Sequence, residues 1–341
     1  MLKPLPYPEG RDGYPILNKT KGMRKSAAAM GAEFRLAEIN VSFHDYVNDE
    51  GVERKKCNNC GDCVTGCNHN AKNTTATNYL PDARNHGAEI FVEAGVSHIK
   101  RHGDRWTVYF EPYNACRDVF DAPLLFTQAR MVFLSGGALG STEILLRSAR
   151  HGLSLSPMLG KRFTGNGDVL GFGYNNDHPI NGIGLGTRLI PGKVDKVGPC
   201  ITGIIDLRNR NVLEDGMTLE EGSVPGPIRD VLKATLMPLS ALIGKDTDSG
   251  FKDFIREKWR EVKSFFRGPF SGALDRTQIY LVMSHDDGQG QMFLDKDKIN
   301  ISWPGVGKQK IFHKVSDTLH TATAALGGTY VRNPVWTKIL G

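Results

Sequence analysis

Arg130-Met131-Val132-Phe133-Leu134 runs into Ser135-Gly136-Gly137-Ala138-Leu139-Gly140, and then into Ser141 to Ala149. An apolar β-prone run, a glycine turn and a helical pattern in succession read as strand, turn and helix. Such a junction can present backbone N–H groups to an anion at the helix N-terminus. The turn reads G-G-A-L-G. No G-x-G-x-x-G follows a strand and opens a helix anywhere in the chain, so a complete dinucleotide fingerprint is not present. Close strand–helix packing is the simpler purpose of the same glycines.

Upstream of this junction the pattern changes. Glu89–Val92, Val96–Ile99 and Arg105–Phe110 are short strand candidates, with Gly95 and His102-Gly103 at the turns. Together with Arg130–Leu134 they predict a small antiparallel or mixed sheet. Further strand-like runs lie at Leu36–Phe43, Val169–Tyr174, Cys200–Leu207, Thr277–Met283 and Gln291–Leu294. Helical patterns cover Lys21–Met30, Thr77–His86, Ser141–Ala149, Lys252–Arg267 and Phe312–Leu326, and Gly31 and Gly327-Gly328 are natural stops. Residues 1–18 are proline-rich and turn-like. Residues 216–250 read as linker and helix. The expected fold class is α+β with an α/β element.

The chain has 341 residues, 40% of them hydrophobic and 23% charged, which supports a sizeable core or two domains and excludes wholesale disorder. The formal charge is +6, a mild excess that suits an anionic cofactor and argues against nucleic acid as a partner. No stretch reaches the roughly 18 apolar residues of a membrane span, and MLKPLPYPEG does not read as a signal peptide. A cytoplasmic location is expected, with membrane contact at most peripheral. The one candidate for such contact is Lys252–Arg267, where six basic residues alternate with aromatic and aliphatic ones. A helix packed on its own domain accounts for the same pattern.

Four of six cysteines stand at Cys57, Cys60, Cys63 and Cys67, a C-x2-C-x2-C-x3-C run in a loop spanning 57–73. That spacing suits a [4Fe–4S] cluster. Asn68 stands where the bacterial motif has proline, and no second run exists to share the fourth cysteine. Cys67, Cys116 or Cys200 could each complete the ligand set. Zinc, or a tight loop of reduced cysteines, are the alternatives. His285-Asp286-Asp287 could move a proton or form a solvated turn. Neither a G-x-S-x-G elbow nor an H-E-x-x-H pair occurs, so hydrolase and zincin readings lose support.

Three stretches carry a family resemblance: Cys57–Pro81 (CNNCGDCVTGCNHNAKNTTATNYLP), residues 131–148 (MVFLSGGALGSTEILLRS) and residues 159–174 (LGKRFTGNGDVLGFGY). They resemble the glucose–methanol–choline (GMC) oxidoreductases of the bacterial cholesterol oxidase-like branch, and the likeness extends through Asn300–Gly307 and Gly327–Trp336. The resemblance implies FAD-dependent oxidation of an alcohol, a sterol or another hydrophobic one, with dioxygen or an electron carrier as acceptor, and a place in steroid or lipid metabolism. It implies a partial FAD-binding, Rossmann-like domain (1–164) interleaved with an antiparallel-sheet substrate domain (165–335), and a return toward the FAD domain at 336–341. By resemblance, the Val96 backbone reaches the adenine, and Gly136, Gly137, Gly140 and Ser141 flank the adenosine part of FAD. Gly165, Asn166 and Gly167 lie near the flavin and substrate, and Asp275 matches a carboxylate over the steroid.

The family's N-terminal G-x-G-x-x-G and C-terminal His-Pro-Leu-Gly-Gly segments have no counterpart here. The chain is therefore expected to be a central fragment, with other polypeptide segments supplying both ends. An inactive or structural fragment that binds no FAD alone, or an iron–sulfur electron-transfer module, are the alternative functions.

Overall fold

The computed structural model describes residues 3–115, 122–185, 196–247, 250–267 and 270–333. Cys116 and the 336–341 segment therefore lie outside the described residues. Six α-helices are described: α1 (Asn18–Ala29), α2 (Tyr79–Asn85), α3 (Gly137–Arg150), α4 (Arg229–Ile243), α5 (Phe251–Arg267) and α6 (Lys310–Ala324). Every pair of strands is antiparallel. The molecule is α+β, built as two compact units. One comprises Met1–His86, Asn166–His285 and Gly307–Gly341, the other Gly87–Gly165 and Asp286–Val306.

The larger unit is organised by a seven-stranded sheet. Its order is Lys245–Asp246, Thr329–Arg332, Val169–Tyr174, Gln278–Met283, Met217–Glu221, Gly203–Leu207 and Glu33–Leu36. Side chains alternate across a strand, and Gln278–Met283 shows it. Tyr280 and Val282 enter a core with Met23 and Ala27 of α1 and Ile311, Val315, Leu319 and Ala322 of α6. Ile279 points the other way, toward Phe172, Val331 and Leu236 of α4. The sheet is thus buried on both faces. In Val169–Tyr174 the α6-facing positions are Gly171 and Gly173. A Cβ on Gly171 would stand 2.6 Å from Leu319, so a side chain there would push α6 off the sheet.

Inside this unit a charged pair is almost wholly removed from water. Lys19 Nζ lies 2.5 Å from Glu221 Oε1, with the two side chains 1% and 0% exposed. Lys19 also donates to Thr202 Oγ1 at 3.0 Å and to the Cys200 carbonyl at 3.3 Å. Thr20 donates to Glu221 at 2.8 Å, and Thr202 makes a further short bond to the same oxygen. Burial of two ions is tolerated because they pair and because the hydrogen bonds converge on Glu221 Oε1, while Oε2 is buried without a partner.

In the smaller unit, α3 lies between two three-stranded sheets. One is Ala94–His102, Arg105–Pro112 and Leu125–Ala129; the other is Lys161–Phe163, Gly290–Asp295 and Lys298–Ser302. Ser148 of α3 accepts the Ile99 N–H at 2.9 Å. On the other side Arg147 pairs with Asp297 at 3.0 Å, and Arg150 donates to the Leu294 carbonyl at 3.0 Å. His98 is stacked between Tyr109 and His151. Its burial, with the His151 charge beside it, pushes its pKa down to about 4.

Several expected strands are displaced. The third strand of the first sheet is Leu125–Ala129, and neither Arg130–Leu134 nor Glu89–Val92 is a strand. Phe133 is 81% exposed and Val92 80%. β-propensity makes a strand only where a partner supplies the ladder and a face to pack on, and among the described residues these two segments have none. Met217–Glu221, expected as linker, is an interior strand of the large sheet. Gln291–Leu294 joins the smaller unit instead of the large sheet. Helix α1 ends at Met30 with Gly31 at φ 59°, as its sequence predicts.

Replacing Lys19 with Met leaves the Glu221 carboxylate buried without its cation. Lys19→Met is expected to cost about 3–5 kcal/mol, whereas Lys19→Met combined with Glu221→Leu should cost clearly less than the two single losses summed. Urea unfolding of the three variants checks this.

Candidate functional site

The glycine turn before α3 is built in the smaller unit. Gly137 has φ 71°, and the Gly136 N–H donates to Ser141 Oγ at 3.0 Å. Ser141 in turn donates to the Leu134 carbonyl at 3.4 Å. Ser141 therefore fixes the turn from inside the helix. No side chain caps the N-terminus of α3, and its first turn holds no acidic residue. A Cβ at Gly137 or Gly140 would meet nothing within 4 Å, so both face open space. Uncapped N–H groups carrying the positive end of a 14-residue helix, beside glycines that let a group approach, suit an anionic or ribose-bearing ligand. Val96 sits in the same unit, paired with Phe110 just before a bulge at Ser97 that shifts the register. These residues fit part of a dinucleotide such as FAD.

The Gly165–Gly167 turn marks where the chain passes from the smaller unit to the larger one. It is not a hairpin, because its flanking strands belong to different sheets. Thr164 Oγ1 and the Gly165 N–H both donate to Asp286, at 2.7 and 2.8 Å. Beyond it, Asn166 and Gly167 have φ of 59° and 56°. The Asn166 carbonyl accepts the Ser284 N–H at 3.0 Å, and the Gly167 carbonyl accepts the Ser284 hydroxyl at 2.8 Å. A Cβ on Gly167 would overlap Ser284, so glycine is required there by space as well as by φ. Asn166 is exposed at the outside of the turn. Asp286 and Asp287 are occupied with bracing: Asp287 accepts from Trp303 Nε1 at 2.9 Å.

Asp275 lies in a single 3-10 turn, Leu274–Arg276, ahead of the central strand. Its carbonyl accepts the N–H groups of Ile180 and Asn181 at 2.9 and 2.8 Å. Its carboxylate stands near the partly buried Arg276 guanidinium, whose pKa burial and Arg260 lower, while Asp275 and Asp177 raise it.

A cavity that the sequence reading missed lies in the larger unit, lined by Val169, Phe312, His313, Ser316, Tyr330 and Arg332 among others. His313 and Ser316 are one turn apart on α6, a helix that the sequence reading gave no place in a site. It offers polar groups beside apolar walls, close in sequence to the Asn166–Gly167 turn.

The four clustered cysteines line one small cavity together with Val41, Ala71 and Lys72. Their sulfurs receive backbone N–H groups: Asn59 on Cys57 at 3.4 Å, and Ala71 and Lys72 on Cys67 at 3.3 and 3.4 Å. The Cys200 N–H donates to Cys63 and the Asp62 N–H to Cys60. The loop is locked in place by Ser223, which donates to the Gly61 carbonyl, and by Asp62, which accepts the Gly226 N–H. Tyr7, Tyr14 and Phe43 pack edge-on beside Cys57. Nevertheless, among the described residues no three His, Cys, Asp or Glu side chains are arranged to hold a metal ion. As they stand, the thiols are not arranged as a prebuilt ligand set.

Burial pushes the Cys57 thiol up to about 12 and raises Cys60 and Cys63 as well. Only the thiolate attacks an alkylating agent. A raised pKa leaves less thiolate at neutral pH. Iodoacetamide should therefore label these three cysteines far more slowly in the folded chain than in urea at pH 7, and faster as the pH climbs. Peptide mass spectrometry gives the rates; equal rates in both states would refute this.

Residues 37–165 match the family model described as GMC oxidoreductase. A cholesterol oxidase of Acinetobacter baumannii is 33% identical over 153 residues, covering 42% of this chain and 27% of that protein. A cholesterol oxidase of Mycobacterium tuberculosis is 26% identical over 277 residues, covering 76% of this chain and 42% of its own length. The chain thus spans about a quarter to two-fifths of the length of these curated relatives.

Proposed function

The chain belongs to the GMC oxidoreductases, in the cholesterol oxidase-like branch, and from that premise we propose that it takes part in FAD-dependent oxidation of a hydrophobic alcohol of the sterol class. The observation that carries this reading is the uncapped, glycine-lined N-terminus of α3, which falls inside the matched segment. Bound FAD would supply the hydride acceptor for the carbinol hydrogen, with dioxygen or an electron carrier as the final acceptor.

The chain's own residues have the following roles in this proposal. The Gly136–Ser141 turn offers N–H groups and the helix dipole to the adenosine end, and the Val96 backbone borders the adenine. Gly165, Asn166 and Gly167 form the close-approach turn nearest the reacting ring. Asp275 is the carboxylate assigned to orient the substrate hydroxyl. The partial FAD-binding domain is assigned to residues 1–164 and the substrate domain to 165–335, interleaved in sequence. Polypeptide segments beyond this chain would complete both, and the protein would act in the cytoplasm.

The test begins with FAD binding, read by quenching of flavin fluorescence. The Cβ of Gly140→Leu enters open space, so the fold should persist while FAD binding weakens by roughly tenfold or more. Turnover is then assayed with cholesterol and simpler alcohols, using dioxygen or an artificial acceptor, for the chain alone and joined to the flanking segments of a relative. Asp275→Asn should lower kcat with little change in FAD affinity. A purely stabilising role for Asp275 would instead lower Tm and leave kcat intact. A chain that neither binds FAD nor turns over in the joined form would favour the inactive structural reading.

A second reading is a [4Fe–4S] cluster on Cys57, Cys60, Cys63 and Cys67, which would have to draw together thiols that are not prearranged for it; the cavity they share and the N–H groups aimed at sulfur are what supports it. Anaerobic reconstitution followed by iron and sulfide analysis decides it. Uptake abolished by Cys60→Ser would support the ligand set, and no uptake would reject it.

A further inference from the structure

Helix α5 is packed inside out. At about 100° per residue, Ile255, Trp259, Val262 and Phe266 fall within a sector of about 60°, and they are 51%, 70%, 44% and 80% exposed. The opposite face carries the polar anchors. Arg260 donates to the carbonyls of Asn175 and Asn176 at 3.1 and 3.2 Å and pairs with Asp177 at 3.0 Å. Ser264 donates to the Ser271 carbonyl at 2.6 Å and accepts the Leu274 N–H at 3.2 Å. Glu261 is buried, and Glu257 turns the same way; burial pushes the Tyr174 phenol up, and the nearby Glu261 and Glu257 raise it further. Among the described side chains, the charged and hydroxyl groups anchor the helix, and Ile255, Trp259, Val262 and Phe266 are exposed.

The flanks of that stripe are cationic. Lys258, which pairs with Glu261 at 2.8 Å, lies about 60° to one side; Arg256, 3.7 Å from Asp177, and Lys263 lie about 80–100° to the other; all three are exposed. Glu257 and Glu261 are on the far side. An ordinary surface helix keeps its apolar face inward. An apolar stripe with an aromatic residue at its centre and basic residues on both borders matches the interfacial plane of a bilayer. There the stripe enters the acyl boundary, while the long basic side chains reach the headgroups. Charge complementarity selects an anionic surface. Among the described residues no helix is long and apolar enough to cross a membrane, so the contact is parallel to the surface.

We propose that α5 is a membrane-docking element that lays Ile255, Trp259, Val262 and Phe266 into an anionic lipid surface, with Arg256, Lys258 and Lys263 on its phosphate groups. The proposal is independent of the sterol reading, and sterol-free vesicles keep the two apart. The full chain is mixed with phosphatidylcholine vesicles, with and without phosphatidylserine, and binding is followed by co-sedimentation and by tryptophan fluorescence. Binding to the phosphatidylserine vesicles with a blue-shifted emission is expected, weakening as salt is raised. Trp259→Ser with Phe266→Ser should reduce binding by roughly tenfold or more, and Lys263→Glu by roughly tenfold. Phe133→Ser, which removes an exposed aromatic from the other unit, should leave binding unchanged. The proposal is overturned if the chain binds neither vesicle, or if the double α5 variant binds as tightly as the original. A loss caused equally by Phe133→Ser would overturn it too. So would lipid-free self-association that the α5 variant abolishes, since the stripe would then be an interface between copies.

Discussion

The larger unit depends on a cation placed where no water can reach it. Lys19 projects from the first turn of α1 onto Glu221, at the end of an interior strand, and the same ammonium holds the Cys200 carbonyl and the Thr202 hydroxyl. Three pieces of chain far apart in sequence are thereby fixed to one point. Such a pair adds little net stability over apolar residues of the same size, because desolvation offsets the attraction. Its effect is on specificity: any packing of α1 that separates the pair strands a buried charge. The consequence extends to the cysteine loop, because Cys200, held by Lys19 through its carbonyl, donates its N–H to Cys63.

The remainder of the larger unit follows from the alternation of its strands. Tyr280 and Val282 on one side and Ile279 on the other commit the sheet to two cores, one under α1 and α6 and one under α4. Glycines at 171 and 173 let α6 come down onto the sheet, which brings His313 and Ser316 to the edge of a cavity. In the smaller unit the equivalent role falls to α3, whose Ser148, Arg147 and Arg150 reach opposite sheets. That clamping holds the N-terminal turn of α3 in place with its glycines open.

The exposed apolar groups have two different physical origins. Met131, Phe133, Phe91 and Val92 belong to extended segments without a ladder among the described residues. Ile255, Trp259, Val262 and Phe266 belong to a well-anchored helix whose polar face won the contacts with the protein. In the second case the anchoring polar groups are themselves satisfied, so turning the helix over would leave Arg260 and Ser264 without partners.

Local sequence determined what depends on local physics. The helical periodicity of α1, α3, α5 and α6, the stop at Gly31 and the strands Val169–Tyr174 and Gln278–Met283 were all legible, because propensity, glycine and alternation act within a few residues. The GMC resemblance was legible for the same reason: the Cys57, Gly136 and Gly165 stretches are compact motifs. Tertiary structure alone decided the rest. It made Met217–Glu221 an interior strand and left Arg130–Leu134 outside any sheet, since a strand exists only where a partner lies alongside. It gathered His313, Ser316 and Arg332 around a cavity, and it turned the apolar face of α5 outward. Each of these outcomes was set by hydrogen-bonding partners, such as Asn175, Asp177 and Ser271 for α5, that stand many residues away or on another element, beyond the reach of any local pattern.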